Sequence, residues 1–170
     1  MGGHIWIESQ LNEGSTFSFS ILKNVQSKQP VTAAPDSDIE NHSNYKEISI
    51  LVCDDDPFNL EYTELIMKDR FNYRLVDAGQ TAAKNTNEKK FDLIFLDIEM
   101  PGFDGYQTLD LIQKSSLNAR TPIIAITAHN SDSEKTKLLE KGFNAYLIKP
   151  FSETEFLRLV KKVLEKLPVH

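Results

Sequence analysis

The chain has 170 residues, 40% of them hydrophobic and 26% charged, which suits one ordinary globular domain with tails or part of a second. No apolar run approaches the length of a membrane span and no charged-then-apolar leader opens the chain, so the expectation is a soluble, cytoplasmic chain whose parent protein could still be membrane-anchored. A net charge of −6 argues against a nucleic-acid surface, and the single cysteine, Cys53, fits a reducing compartment and reads as a buried structural thiol.

Residues 1–23 hold two alternating apolar stretches. Ile5 and Ile7 flank Trp6, and Phe17, Phe19 and Ile21 alternate with Thr16, Ser18 and Ser20. Between them Asn12-Glu13-Gly14-Ser15 is turn chemistry, so a β-hairpin is predicted. A lone hairpin is marginal in water and calls for a partner sheet that this chain does not supply. Residues 24–47 are polar, include Pro30 and Pro35, and read as a flexible linker. Asp36, Asp38, Glu40 and His42 within it read as solvated charge.

From Ile48 to residue 168 short apolar runs alternate with amphipathic stretches. The predicted strands are Ile48–Cys53, Tyr73–Asp77, Leu93–Leu96, Ile123–Ile126 and Ala145–Ile148. Three of them are apolar at nearly every position, as strands buried on both faces of a parallel sheet must be. The first helix is predicted to start with Asp56 as its cap and Pro57 at its first position. The second, near Gln80–Glu88, offers only Ala82 and Ala83 as apolar residues and is expected to be short or loosely docked. The last is the clearest, with Phe156, Leu159, Val160, Val163, Leu164 and Leu167 on one face. Ser152 and Glu155 have capping-box spacing, and Phe151 is placed to staple onto Phe156. Five strand–helix repeats with right-handed crossovers predict a three-layer α/β fold.

Open parallel sheets bind ligands beyond the carboxyl ends of their strands. Here those ends carry Asp54, Asp55 and Asp56, then Asp97, then Thr127, then Lys149 followed by Pro150. Carboxylates gathered this closely need a cation between them, and oxygen donors suit Mg²⁺ or Mn²⁺ better than zinc. An ionised aspartate is also a competent nucleophile toward phosphorus. Phosphoryl transfer then needs alignment and charge neutralisation, which Lys149 and the Thr127 hydroxyl can supply. The turn-rich segment MPGFDG, Met100–Gly105, is expected to bring backbone N–H groups toward the same oxygens.

In this order the segments ILVCDDD, LIFLDIEMPGFDG, IIAITA and AYLIKPF resemble the receiver domain of two-component signalling. The resemblance implies a flavodoxin-like (βα)5 fold over residues 48–168, with five parallel strands in the order 2-1-3-4-5. It implies Asp97 as phosphoacceptor from a phosphohistidine and Lys149 as partner of the phosphoryl group. Mg²⁺ would be held directly by Asp55, Asp97 and the Glu99 carbonyl, and by Asp54 through water. Thr127 and Tyr146 would be a switch pair that reshapes the face of the fourth helix, last strand and last helix, although a packed aromatic is an equal reading of Tyr146 at rest. Glu99 and His129 border the phosphoryl site. There the Glu99 carboxylate is expected to modulate the hydrolytic water, and the His129 imidazole to add a physiological pH dependence.

MGGHIWIES and GSTFSFSIL resemble the closing hairpin of a histidine-kinase ATP-binding domain, with Asn12 standing where that family often has Gly. The nucleotide pocket is missing from the chain. The resemblance therefore implies the C-terminal piece of a hybrid histidine kinase, whose receiver catalyses its own phosphorylation and dephosphorylation. Its partners would be a phosphohistidine domain or a histidine phosphotransfer protein. Two other classes compete: a Mg²⁺-dependent phosphohydrolase with Asp97 as nucleophile and Glu99 as acid, for which no cap insertion is visible, and an unphosphorylated scaffold.

Overall fold

The computed structural model describes residues 5–10, 14–19 and 45–165. The chain divides into two units, residues 1–41 and 42–170. In the first, β1 (Ile5–Gln10) pairs antiparallel with β2 (Gly14–Phe19). Ile5 faces Phe19 and Gln10 faces Gly14, so Gly14 and Ser15 belong to the strand rather than to the predicted turn. This register leaves a three-residue connection, a common hairpin length. Asn12 and Glu13 of that turn, Ser20 and Ile21 of the second stretch, linker residues 24–44 and Leu167 lie outside the described residues.

The second unit opens with a 3-10 turn, Tyr45–Glu47, whose tyrosine ring packs 5.4 Å from Phe71. Five strands follow: β3 (Ser49–Cys53), β4 (Asn72–Val76), β5 (Leu93–Asp97), β6 (Ile123–Thr127) and β7 (Ala145–Ile148). Between and after them run α1 (Pro57–Met67), α2 (Gly79–Glu88), α3 (Gly105–Ile112), α4 (Asp132–Lys141) and α5 (Glu153–Leu164). All neighbours in the sheet are parallel, in the order β4-β3-β5-β6-β7, which is the predicted 2-1-3-4-5.

Every residue of β3, β5 and β6 is buried, as their uninterrupted apolar runs require. One buried cluster joins Ile50, Val52, Phe95 and Ile124 to Ile66 of α1 and Phe156 of α5. The other joins Leu51, Leu96 and Ala125 to residues of α2, α3 and α4. Helices therefore cover both faces of the sheet. On α5 the predicted capping box forms, Phe156 stacks on Phe95 at 4.4 Å, and Phe151 stacks on Phe156 at 6.0 Å.

The expectation for α2 is corrected. It is ten residues long and firmly docked, burying Gly79, Ala82, Ala83, Asn85 and Thr86. Small side chains let it approach α3 closely: a Cβ on Gly79 would collide with the Thr108 side chain. Its buried polar groups find partners, Asn85 with Arg74 and the Thr86 hydroxyl with the Ala83 carbonyl at 2.8 Å. Apolar count alone hides this kind of packing.

Candidate functional site

The three aspartates after β3 sit in three different settings. The Asp54 N–H donates to the Val76 carbonyl at 3.2 Å, which keeps the chain against the sheet and turns the carboxylate inward. Its side chain is 2% exposed, and Oδ1 accepts from the Asp56 N–H at 3.0 Å and from Asn59 Nδ2 at 3.1 Å. Asp55 is exposed. Asp56 caps α1, accepting from the Phe58 N–H at 2.9 Å with Pro57 behind it, as the sequence predicts.

Asp97 ends β5 and is 3% exposed. Its Oδ1 accepts from the Glu99 N–H at 3.1 Å. Gly105, at the start of α3, lies so close that a Cβ there would strike the Asp97 carbonyl and come within 2.8 Å of Ile98 Cα. Within the segment Met100–Gly105, several N–H groups are engaged inside the loop itself. Phe103 donates to Pro101 at 2.8 Å and Gly105 to Ile98 at 3.2 Å, because the loop must satisfy its own turn before Asp104 caps α3. The N–H that reaches the Asp97 carboxylate comes from Glu99, just ahead of the loop.

Thr127 ends β6, buried, and its hydroxyl oxygen accepts from the His129 N–H at 3.1 Å. The Lys149 N–H donates to the Thr127 carbonyl at 2.8 Å and so extends the β6–β7 pairing by one step. That step brings the Lys149 ammonium in over the sheet edge. Nζ lies 2.6 Å from Asp97 Oδ2 and 2.7 Å from Asp54 Oδ2. The peptide bond from Lys149 to Pro150 is cis. Tyr146, opposite Ala125 in the register, is half-buried and packs against the core cluster that includes Leu96, Met100 and Phe143.

Burial pushes the Asp97 carboxyl above the usual carboxylate range; hydrogen bonds from Lys149 and the Glu99 N–H pull it back without reversing this, and the Asp54 charge adds to the rise. For Lys149 burial acts downward, but hydrogen bonds to Asp54 and Asp97 outweigh it, so the ammonium titrates above its ordinary value. Burial, then the neighbouring carboxylates, push the Cys53 thiol up to about 12. With its Sγ 3.5 Å from Met100 Sδ, Cys53 is the structural thiol expected of it.

Ligand oxygens of Asp54, Asp55 and Asp97 lie within 4.8 Å of one another. One ammonium cannot balance three carboxylates. The surplus negative charge and the oxygen-only donor set fit a hard divalent cation. At the rim, His129 Nδ1 stands 2.6 Å from Glu99 Oε1, so the two bordering residues meet each other across the loops that follow β5 and β6.

The structure thus gathers Asp54, Asp55, Asp97, Thr127 and Lys149 on one edge of the sheet, with Glu99 and His129 above them. Sequence reasoning passes over two contributors. Asn59, in the first turn of α1, holds Asp54, and its position follows once Asp56 fixes the helix start. Gly105 admits α3 against Asp97, a demand that no local pattern announces.

A family model described as response regulator receiver domain matches residues 50–161. Among curated relatives, the signal transduction histidine-protein kinase BarA of Escherichia coli K12 is 35% identical over 114 residues, covering 66% of this chain and 12% of that protein. The sensor protein GacS of Pseudomonas syringae is 34% identical over 117 residues, covering 66% of this chain and 13% of that protein. The chain therefore spans only about an eighth of those kinases. Among solved structures, the receiver domain of a Pseudomonas aeruginosa sensor histidine kinase, with a magnesium ion coordinated in its active site cleft, aligns with a TM-score of 0.65 and 29% identity. That alignment covers 70% of this chain and 98% of that one.

Proposed function

The chain belongs to the response regulator receiver family of two-component signalling, and we propose that it accepts a phosphoryl group from a phosphohistidine onto Asp97. One observation carries this reading: a single ammonium, Lys149, spans two buried carboxylates, Asp54 and Asp97, at the carboxyl edge of a parallel sheet. In the proposed step a carboxylate oxygen of Asp97 attacks phosphorus, the P–N bond to the donor imidazole breaks, and an acyl phosphate forms. Lys149, already in contact with Asp97, takes up the charge of the phosphoryl oxygens, and the Thr127 hydroxyl turns toward them.

Asp55, Asp97 and the Glu99 carbonyl are the proposed direct ligands of Mg²⁺, with Asp54 acting through water. When bound, the ion would neutralise the carboxylates and the transferring group. Asn59 and the Asp56 N–H keep the Asp54 carboxylate fixed while charge moves beside it. Movement of Thr127 opens space for the half-buried Tyr146 ring, and the surface from Thr127 to Phe156 shifts its population accordingly.

The donor in this reading is a phosphohistidine domain or a histidine phosphotransfer protein. Phe58, Tyr62 and Leu65 leave exposed apolar surface on α1, beginning two residues after Asp56, which suits an apolar helix face on such a donor. Residues 1–23 are proposed as the closing hairpin of a kinase ATP-binding domain, and residues 24–47 as the linker to the receiver, in a hybrid histidine kinase. The phosphohydrolase alternative would need Glu99 as its acid, and that carboxylate lies 2.6 Å from His129 Nδ1 at the rim of the site.

Incubation with acetyl phosphate and Mg²⁺ is expected to add one phosphoryl group by intact mass, and none in Asp97→Asn. An unmodified parent that also fails with a phosphorylated histidine domain would overturn the reading. Because the Glu99–His129 pair bridges the rim of the site, Glu99→Gln and His129→Ala are each expected to admit water and shorten the acyl-phosphate lifetime severalfold. Equal lifetimes in both variants and the parent would remove any role for the pair.

A further inference from the structure

Lys149 reaches Asp97 and Asp54 from a short segment, residues 149–152, that joins β7 to α5. Both ends of this segment are fixed close at hand. The Lys149 N–H donates to the Thr127 carbonyl of β6 at 2.8 Å, and the Ser152 N–H donates to the Glu155 carboxylate at 2.8 Å in the cap of α5. Between them Pro150 has no N–H to offer. The Phe151 carbonyl accepts from the hydroxyl of Tyr62, 89 residues earlier in the chain, at 3.2 Å. Among the described residues this is the one hydrogen bond from α1 to the segment.

Helical geometry places Tyr62 for that bond. It lies in the second turn of α1, whose start is set by Asp56 and Pro57. Its ring meets the Phe151 ring at 5.8 Å, and Phe151 in turn stacks on Phe156 within the core cluster that contains Phe95. Ring contact brings hydroxyl and carbonyl together, and the hydrogen bond adds direction to it. A separate bridge, Arg70 to Glu153 at 2.7 Å, also joins α1 to α5. Loss of the Tyr62 hydroxyl alone therefore leaves the two helices docked and takes a partner from the Phe151 carbonyl. Tyr73 offers a comparison. Its hydroxyl also binds α1, donating to Glu64 at 2.9 Å, but it stands on β4, at the opposite edge of the sheet from β7.

We propose that Tyr62 is a positioning residue for Lys149: its hydroxyl holds the Phe151 carbonyl, and with it residues 149–152, so that the ammonium stays over Asp97 and Asp54. The consequence for phosphoryl transfer rests on the receiver reading above. The tether itself does not, and the two can be tested apart. Because Tyr62 also belongs to the apolar surface offered to a protein donor, the test uses acetyl phosphate, which needs no docking on α1.

Amide exchange and adduct formation in Tyr62→Phe, with Tyr73→Phe as the comparison, provide that test. Phenylalanine keeps each ring and removes only the hydroxyl. Without any phosphoryl donor, the Lys149 amide is expected to exchange about fivefold faster in Tyr62→Phe, the effect of one modest hydrogen bond, while α5 amides stay unchanged. With acetyl phosphate and Mg²⁺, the adduct is expected to form about fivefold more slowly by intact mass. Tyr73→Phe is expected to change neither. An unchanged Lys149 amide in Tyr62→Phe would overturn the proposal. So would faster exchange throughout α5, or an equal effect of Tyr73→Phe, since a merely structural hydroxyl would loosen the packing of α1 as a whole. A freer Lys149 amide with an unaltered rate of adduct formation would mean that the ammonium is placed without Tyr62, and would overturn it too. A parent that forms no adduct with acetyl phosphate or with a phosphorylated histidine domain removes the receiver reading, and the donor-free exchange then decides the tether.

Discussion

Asn118→Ala is expected to lower the stability of the receiver unit by about 4 kcal/mol, among the largest effects of any single substitution here. Asn118 is fully buried in the connection between α3 and β6. Its Nδ2 donates to the carbonyls of Thr86 at 2.6 Å and Lys89 at 2.7 Å, at the end of α2. Its Oδ1 accepts from the Phe91 N–H at 2.9 Å, just before β5, and lies 3.0 Å from the Thr121 hydroxyl. One amide thus ties three segments together. Alanine strands the Phe91 N–H and the Lys89 carbonyl without the partner each now has, at roughly 1–3 kcal/mol apiece. The Thr86 carbonyl keeps the Ser115 hydroxyl at 2.7 Å and suffers less. Urea unfolding should show a lower midpoint with an unchanged slope. A loss below about 1 kcal/mol would mean that these groups find other partners once the amide is gone.

The contrast between Asn118 and the functional aspartates shows what a sequence discloses. Ile50–Cys53, Leu93–Leu96 and Ile123–Ile126 are apolar without interruption, and burial on both faces is the one environment that suits them. Once those strands are placed, parallel topology puts Asp54, Asp97, Thr127 and Lys149 on one edge, so the site follows from the fold. The capping box of α5 and the Asp56–Pro57 start of α1 are equally local, each written within a few residues. Asn118 is different. Its worth lies in partners 27 to 32 residues away, and an asparagine in a loop looks the same whether it is solvated or fully buried. The docking of α2 is hidden for a related reason, since Gly79 and Thr108 gain their meaning only from each other. The Glu99–His129 pair and the Asn59–Asp54 contact likewise depend on how loops turn rather than on what they contain. In the hairpin the alternation identifies the strands, but the pairing of Gly14 with Gln10 sets the register, and composition alone places that boundary too late.

Mg²⁺ at a hundred times its Kd is expected to raise the unfolding free energy by about 2.7 kcal/mol, and Asp97→Asn is expected to remove most of that gain while stabilising the metal-free protein. The two effects share one cause. Asp54 and Asp97 are buried with one ammonium between them, and Asp55 adds a third carboxylate nearby. Burial holds the Asp97 carboxyl above the usual range in the folded state, despite Lys149 and the Glu99 N–H. Stability linked to a group raised in this way is present below its unfolded pKa and is lost as pH rises through the folded one. Once pH has passed that folded value, the charge of Asp97 counts against the fold. An amide in its place carries no such cost, and Lys149 keeps Asp54 as a partner. Lys149 is also raised, but its contribution is lost only in alkali, above the ordinary lysine range, and does not offset the comparison at neutrality. The advantage of Asp97→Asn over the metal-free parent should therefore grow as pH rises and shrink on acidification, as the parent's Asp97 takes up its proton. Thermal unfolding of both proteins across that range, with and without Mg²⁺, separates the terms. A parent indifferent to Mg²⁺, or an Asn variant less stable than the metal-free parent at neutral pH, would mean that Lys149 alone satisfies these carboxylates.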